Sequence, residues 1–358
     1  PGRHRVTIRG YAFQTDGQPL TFSVNGTSFE RGSERPVFGY FEMPAGRSGT
    51  VHSITFEADL PDRYMLQIEP HGLNLPNKNS RPPIDKYEGP GLAILDVTLE
   101  RIEQPWPSRG HELIFADIER REKQPSDPRQ RQKSWYVPQF ECLFPDDDAA
   151  RRAAEASLTR LAEAAFRRPV DSSEIASYLA LYDSERAGGA EFEPALRTAF
   201  TGLLCSPRFL FLDEPTVRDG RGERLDDHAL AARLSYFLNR TAPDDWLREA
   251  AADGRLSDPA ELSRQTERLL LDPRHKRFLN DFTDAWLDLR EMDFTAPDDR
   301  LFPEFDPYLR WSMPRETRAF VARLIEEDRP IRDLIAPDYA LLNARLAELY
   351  GIEGVVGP

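Results

Sequence analysis

The chain has 358 residues, with 47 basic and 61 acidic side chains and a net charge of −14. Its 40% hydrophobic content supports packed cores and excludes wholesale disorder. No apolar run approaches the roughly 18 residues a membrane span needs, and the net acidity argues against a general nucleic-acid binder.

The length suits about two to three domains. Two cysteines, Cys142 and Cys205, exclude a disulfide-rich scaffold, a four-cysteine zinc site and an iron–sulfur cluster. Only five of the basic residues are Lys, a bias toward Arg that we assign to a GC-rich genome rather than to phosphate binding. Residue 1 is Pro, a strand pattern (Arg5-Val-Thr-Ile-Arg9) begins almost at once, and Gly351 to Pro358 has no polar tail. Both ends therefore read as cuts inside a longer protein, and a missing signal peptide says nothing about compartment.

Residues 1–103 read as all-β. Leu20, Phe22 and Val24 alternate with polar neighbours, and Asn25-Gly26 then offers a hairpin turn. Ile54, Phe56 and Ala58 alternate in the same way, as do Tyr64, Leu66 and Ile68. Ala93, Leu95, Val97 and Leu99 form the clearest period-two run, with an inward apolar face. Short strands with Gly/Pro-rich joints predict a sandwich. Residues 70–91 make a long polar loop, of the kind that is often functional.

Residues 104–149, rich in Pro and charge, read as a connector, with Ser134 to Val137 expected to dock on a neighbour. Helical spacing begins at Ala150. Asp171-Ser-Ser-Glu174 predicts a capping box, and Asp258-Pro-Ala-Glu261 repeats that logic with Pro in the first turn. Leu230, Leu234, Phe237 and Leu238 line one helix face. Phe278, Phe282, Ala285, Trp286 and Leu289 line another, read as helix core. Further helices fit 191–212, 307–327 and 339–350, with Gly254 and Gly351 as C-terminal caps. The expected fold is thus α+β and multidomain: an N-terminal antiparallel β-sandwich (1–103), the connector (104–149), a helical domain (150–215) and a larger helical domain (216–358) truncated at its C-terminus.

The spacings that carry well-known chemistry are missing. Covalent haem attachment needs Cys-x-x-Cys-His, and neither cysteine has that partner. His-Glu-x-x-His, Gly-x-x-x-x-Gly-Lys, Gly-x-Gly-x-x-Gly and Gly-x-Ser-x-Gly are absent. The six histidines are scattered, so no metal site is expected from sequence. His71 lies in the long loop beside Asn74, Asn77 and Asn79, with Asp85 and Tyr87 further on. Amides, a carboxylate and an aromatic ring suit sugar recognition, because polar edges bond hydroxyls while a ring face covers C–H groups. Ordinary turn chemistry accounts for the same residues. Asp146-Asp-Asp148 and Asp244-Asp245 precede helix starts and read as caps rather than calcium ligands. Cys205, at the end of an apolar helix, reads as a buried, inert thiol.

Longer motifs carry a resemblance. Leu225-Asp-Asp-His-Ala-Leu-Ala-Ala-Arg-Leu-Ser-Tyr-Phe-Leu238, Pro243-Asp-Asp-Trp-Leu247, Gly254-Arg-Leu256, Asp272-Pro-Arg274, Phe302-Pro-Glu-Phe305, Glu316-Thr-Arg-Ala-Phe320 and Leu342-Asn-Ala-Arg-Leu346 resemble a domain of unknown function of large planctomycete proteins. Ala165-Phe-Arg-Arg-Pro169 and Leu204-Cys-Ser-Pro-Arg-Phe-Leu210 resemble its helical companion. Gly39-Tyr-Phe41 and Tyr87-Glu-Gly-Pro-Gly-Leu92 resemble the carbohydrate-binding-like domain that precedes them.

The resemblance implies a segment of an exported protein, periplasmic or extracellular, flanked by cytochrome c segments. Haem c is then expected elsewhere in the full-length protein and no cofactor within this fragment. It implies no catalytic residues. The function expected is a non-catalytic scaffold and glycan-binding segment. The alternative is part of an oxidoreductase acting on polysaccharide, completed by the missing haem domains. Expected partners are polysaccharide and the haem domains of the same chain, with no nucleic acid and no membrane span.

Overall fold

Alternating apolar residues place six strands in the first hundred positions: β1 (Gly2–Phe13), β2 (Leu20–Thr27), β3 (Val37–Met43), β4 (His52–Leu60), β5 (Met65–Pro70) and β6 (Gly91–Arg101). The structure is a computed structural model and describes residues 2–47, 50–73, 86–103, 108–116, 118–125, 127–132, 139–220, 222–294, 297–298 and 300–358. The strands form two antiparallel sheets of three, ordered β4-β1-β6 and β3-β2-β5. Val6 and Ile8 pair with Phe56 and Ile54, and all four face Phe22, Val24 and Met43 of the other sheet. Phe41 stacks on Phe56 across the gap, with ring centroids 4.6 Å apart. This is the predicted sandwich, and helices follow it, so the fold class is α+β.

Two details depart from the sequence reading. Asn25-Gly26 is not a turn: β2 runs through it, with a register shift at Val24/Asn25. A Cβ at Gly26 would meet Pro36 at 2.9 Å, so glycine serves close packing there instead of a hairpin. The run in β6 is a strand, but its apolar side chains lie at the open edge of the sheet. Leu95 is 56% exposed and Leu99 51%. A bulge opposite Arg9/Gly10 breaks the alternation at Leu95. Gly10 permits that bulge, since a Cβ would lie 2.2 Å from the Ala93 carbonyl oxygen.

The stretch read as a connector carries a short helix, α1 (Arg109–Ile114), and an antiparallel pair, β7 (Arg120–Lys123) with β8 (Gln139–Cys142). The expected docking stretch 134–137 lies outside the described residues. Then come α2 (Asp147–Phe166), α3 (Ser172–Ala187), α4 (Phe192–Leu204), α5 (Pro207–Leu210), the hairpin β9 (Thr216–Asp219) and β10 (Gly222–Leu225), α6 (Asp227–Asn239), α7 (Asp245–Ala252), α8 (Pro259–Leu270), α9 (Lys276–Trp286), α10 (Pro307–Glu326) and α11 (Ala344–Tyr350).

Caps set most of these starts. Asp146, Asp171, Asp226, Asp244, Asp258, Asp306 and Asn343 each accept a backbone N–H with the side chain, a bond worth about 1 kcal/mol per helix. Asp171 and Glu174 form the reciprocal capping box. Gly254 and Gly351 take the left-handed conformation expected of them. The helix read as 191–212 breaks at Cys205-Ser206, because Pro207 opens a new turn. The last helix begins at Ala344, not at 339, where Asn343 supplies the cap. On α9, Leu279, Thr283 and Asp284 are buried, whereas Trp286 is 50% exposed, so the aromatic stripe is not helix core. Cys205 is exposed, not buried, because the break leaves it at the end of α4.

The chain divides into two compact units. Unit 1 joins residues 1–104 to 279–358, and unit 2 is 105–278. The helical stretch from 216 onward thus contributes to both. The core of unit 2 lies between α2, α3 and α4, around Leu158, Ile175, Tyr182, Leu196 and Leu203. A second cluster holds Leu238, Leu247, Leu256 and Leu269.

Unit 1 is held together by an aromatic seam. Tyr40 of β3 stacks on Tyr308 of α10, with centroids 4.2 Å apart and planes 18° from parallel, and Trp311 sits 5.0 Å from Tyr40. Tyr308 is 2% exposed. Truncation by Tyr308→Ala is expected to cost about 3–5 kcal/mol and to lower the sheet and helix signals of unit 1 together in urea unfolding followed by circular dichroism. Tyr308→Phe is expected to be neutral or stabilising, because the hydroxyl is buried without a partner.

Candidate functional site

Of the six residues expected to contact sugar, the structure describes His71 and Tyr87. Asn74, Asn77, Asn79 and Asp85 lie outside the described residues. His71 directly follows β5, and its backbone N–H donates to the Thr21 carbonyl at 2.8 Å. Its ring meets Tyr308 edge-on at 5.0 Å, and Nε2 lies 4.0 Å from an Asp306 carboxylate oxygen. The Tyr87 hydroxyl donates to the Pro90 carbonyl at 2.8 Å and closes a tight turn over Gly89. His71 and Tyr87 make no ring or hydrogen-bond contact with each other. Each is fastened to its own neighbours within unit 1.

His71 belongs to a cluster that sequence reasoning did not assemble. Asp306 caps α10 through the Leu309 N–H (2.8 Å) and accepts from Arg345 Nε (2.8 Å). Arg345 is buried and also donates to the Glu304 carbonyl at 2.5 Å. Asn343 donates to Ser312 Oγ, which in turn donates to the Tyr308 carbonyl, both at 2.7 Å. Burial pushes the Tyr40 hydroxyl up to about 12, helped by the Asp306 charge, and raises Tyr308 as well. The Tyr308 hydroxyl and the Trp311 indole N–H are both buried without a bonding partner. Arg315 lies over the Trp311 ring at 3.6 Å and makes no ion pair among the described residues. A helix from Pro307 was legible in the sequence; its Asp306 cap and the approach of Tyr40, more than two hundred positions upstream, were not.

A second concave region lies in unit 2 around Cys142, Asp146, Arg186, Glu193 and Arg197, with a volume near 570 Å³. The Cys142 thiol donates to Glu193 Oε1 at 3.4 Å. Burial and that carboxylate push the thiol up to about 12. A thiol that stays protonated is a poor nucleophile, so this cavity holds no activated cysteine. No group of three or more His, Cys, Asp or Glu side chains is placed to hold a metal among the described residues. None of the helices there is long and apolar enough to cross a membrane.

Many carboxylates are already spent on arginines. Arg168 grips Glu174 through two nitrogens, at 2.7 and 3.0 Å, and Arg208 adds a third bond at 2.5 Å. The Arg168 hydrogen bonds hold the Glu174 carboxyl down to about 2. Asp272 is held to about 2 in the same way by Arg274. Arg268 spans Asp244, and Arg318 spans Asp284, each through two bonds. These are structural clamps, bidentate and geometrically defined.

Residues 225–352 match a family model described as PSD4, protein of unknown function (DUF1592). Residues 153–214 match one described as PSD5, protein of unknown function (DUF1595). No curated protein and no solved structure matches the chain.

The lowered Glu174 carboxyl has a signed consequence. Its stabilising effect is present above its ordinary value of 4.5 and is lost as pH falls toward about 2. Glu174→Gln keeps an oxygen for the capping box but removes the charge. It is expected to lower the urea midpoint at pH 7, and the gap from wild type is expected to close between pH 4.5 and 2. Iodoacetamide at pH 8 is expected to label the exposed Cys205 and to spare Cys142 until the chain unfolds, as read by mass spectrometry.

Proposed function

We propose that this chain is a non-catalytic scaffold and glycan-contacting segment of an exported protein whose haem is carried elsewhere in the polypeptide. The observation that carries the scaffold reading is the Tyr40–Tyr308–Trp311 seam, which draws two ends of the chain into one unit and leaves 105–278 tethered at both of its ends. Such an arrangement suits a part that holds other modules in place. The clamped carboxylates and the protonated Cys142 thiol support the same reading, because groups engaged in packing are not free for turnover. The two matched families, typical of planctomycete cytochrome c-associated proteins, support the link to haem modules. The glycan contact rests on the sandwich and on the loop that carries His71 and Tyr87.

Calorimetric titration of the whole chain with soluble oligosaccharides is the test. Binding heat is expected with at least one sugar, and Tyr87→Ala is expected to weaken it about tenfold, the loss of one stacking ring. No heat with any sugar would remove the glycan contact. Any turnover by the chain alone that Glu193→Gln abolishes without loss of Tm would remove the non-catalytic reading.

A further inference from the structure

We propose that unit 2 carries an anion-binding pocket for a small molecule that bears a carboxylate or phosphate group. The pocket has a volume near 310 Å³, at the lower end of small-molecule sites. Arg160 and Glu163 of α2, Arg167 and Arg168 of the turn after it, His228 of α6 and Arg248 of α7 line it. Positions 160, 163 and 167 recur at spacings of three and four, so one side of α2 and its turn face the cavity.

The four guanidinium charges are not equally spent. Arg168 is neutralised by Glu174, and Arg248 pairs with Asp245, which Arg109 shares. Arg160 and Arg167 reach only uncharged oxygens. Arg167 donates to the Tyr236 hydroxyl (3.1 Å) and to the carbonyls of Phe209 (3.0 Å), Phe211 (3.3 Å) and Arg208 (3.4 Å). Arg160 Nη2 donates to the carbonyls of Ile114 (3.0 Å) and Ala116 (3.3 Å). Its Nη1 makes no hydrogen bond among the described residues, and its Nε is buried without an acceptor. Neither arginine has a carboxylate within ion-pair distance among the described residues.

Two such charges side by side, partly withdrawn from water, are costly without a counter-ion. Carbonyl dipoles hold the guanidinium planes in place but leave their charge uncancelled. An oxyanion supplies the missing charge, and the guanidinium fork matches carboxylate and phosphate geometry. His228, which lines the same pocket and makes no hydrogen bond among the described residues, adds a donor. The cavity around Cys142 offers a contrast: five carboxylates, Glu141, Asp146, Asp147, Glu191 and Glu193, outnumber its three cations, Lys123, Arg186 and Arg197, whereas Glu163 is the one acid among the four arginines here. Charge therefore selects the arginine pocket.

Thermal-shift and calorimetric titrations of the whole chain would use inorganic phosphate and acetate in separate arms, each against chloride at matched ionic strength. A rise in Tm and a saturable heat are expected with at least one probe, and the stronger arm tells a phosphate ligand from a carboxylate one. Arg160→Met is expected to weaken that binding at least tenfold, a typical loss for a charge-assisted bond, and His228→Ala to weaken it severalfold. His228 makes no hydrogen bond among the described residues, so its variant keeps the fold if Arg160→Met does not. No effect of either probe beyond chloride, or binding unchanged in His228→Ala, overturns the proposal.

Discussion

Unit 1 depends on one contact, the stack of Tyr40 on Tyr308. Everything near it exists to bring those two rings together. The sheet β3-β2-β5 presents Tyr40 from the middle of its edge strand β3, and the Asp306 cap fixes where α10 begins and therefore where Tyr308 points. Arg345 then ties that cap to α11, and Asn343 ties α11 back to α10 through Ser312. Stacked rings supply a large buried area with defined geometry. They do so at the expense of two donors, the Tyr308 hydroxyl and the Trp311 N–H, that are left without protein partners.

Arginine does a different job in unit 2. Its core is small and aliphatic, built largely from alanine and leucine on α2, α3 and α4. Forked pairs such as Arg168–Glu174 and Arg268–Asp244 fasten the margins of that core. Arg167 joins α2 to the segment after α4 and to α6 by reaching carbonyls and the Tyr236 ring rather than an acid. The sequence bias toward Arg thus has a structural use, whatever its genomic origin. A planar five-donor group can satisfy several carbonyls at once, which a lysine cannot.

Local signals were legible in the sequence. Capping aspartates, proline starts and glycine ends located most helices, and period-two alternation located the strands. The failures share a cause. Asn25-Gly26 has turn chemistry, but its neighbours Pro36 and Tyr64, which directly precede β3 and β5, decide its role. The apolar side of β6 and the aromatic face of α9 are patterned for burial, yet burial depends on what tertiary structure lays over them. Cys205 does end an apolar helix, but the break before Pro207 leaves it exposed instead of buried. The candidate loop could be named, but its partners could not: His71 meets Tyr308 and Asp306 from the far end of the chain. Long-range pairing leaves no mark in spacing.

The division of unit 1 also sets an order of events during synthesis. Residues 1–104 leave the ribosome before 105–278, yet the helix that covers Tyr40 follows both. The nascent sandwich must wait, with that ring bare, until all of 105–278 has emerged. Unit 2 has no such delay, because it is one continuous stretch and its cores can form as it appears. The sandwich, made before unit 2, is thus finished after it, and a chain stalled short of α10 exposes an aromatic surface that the helix later hides.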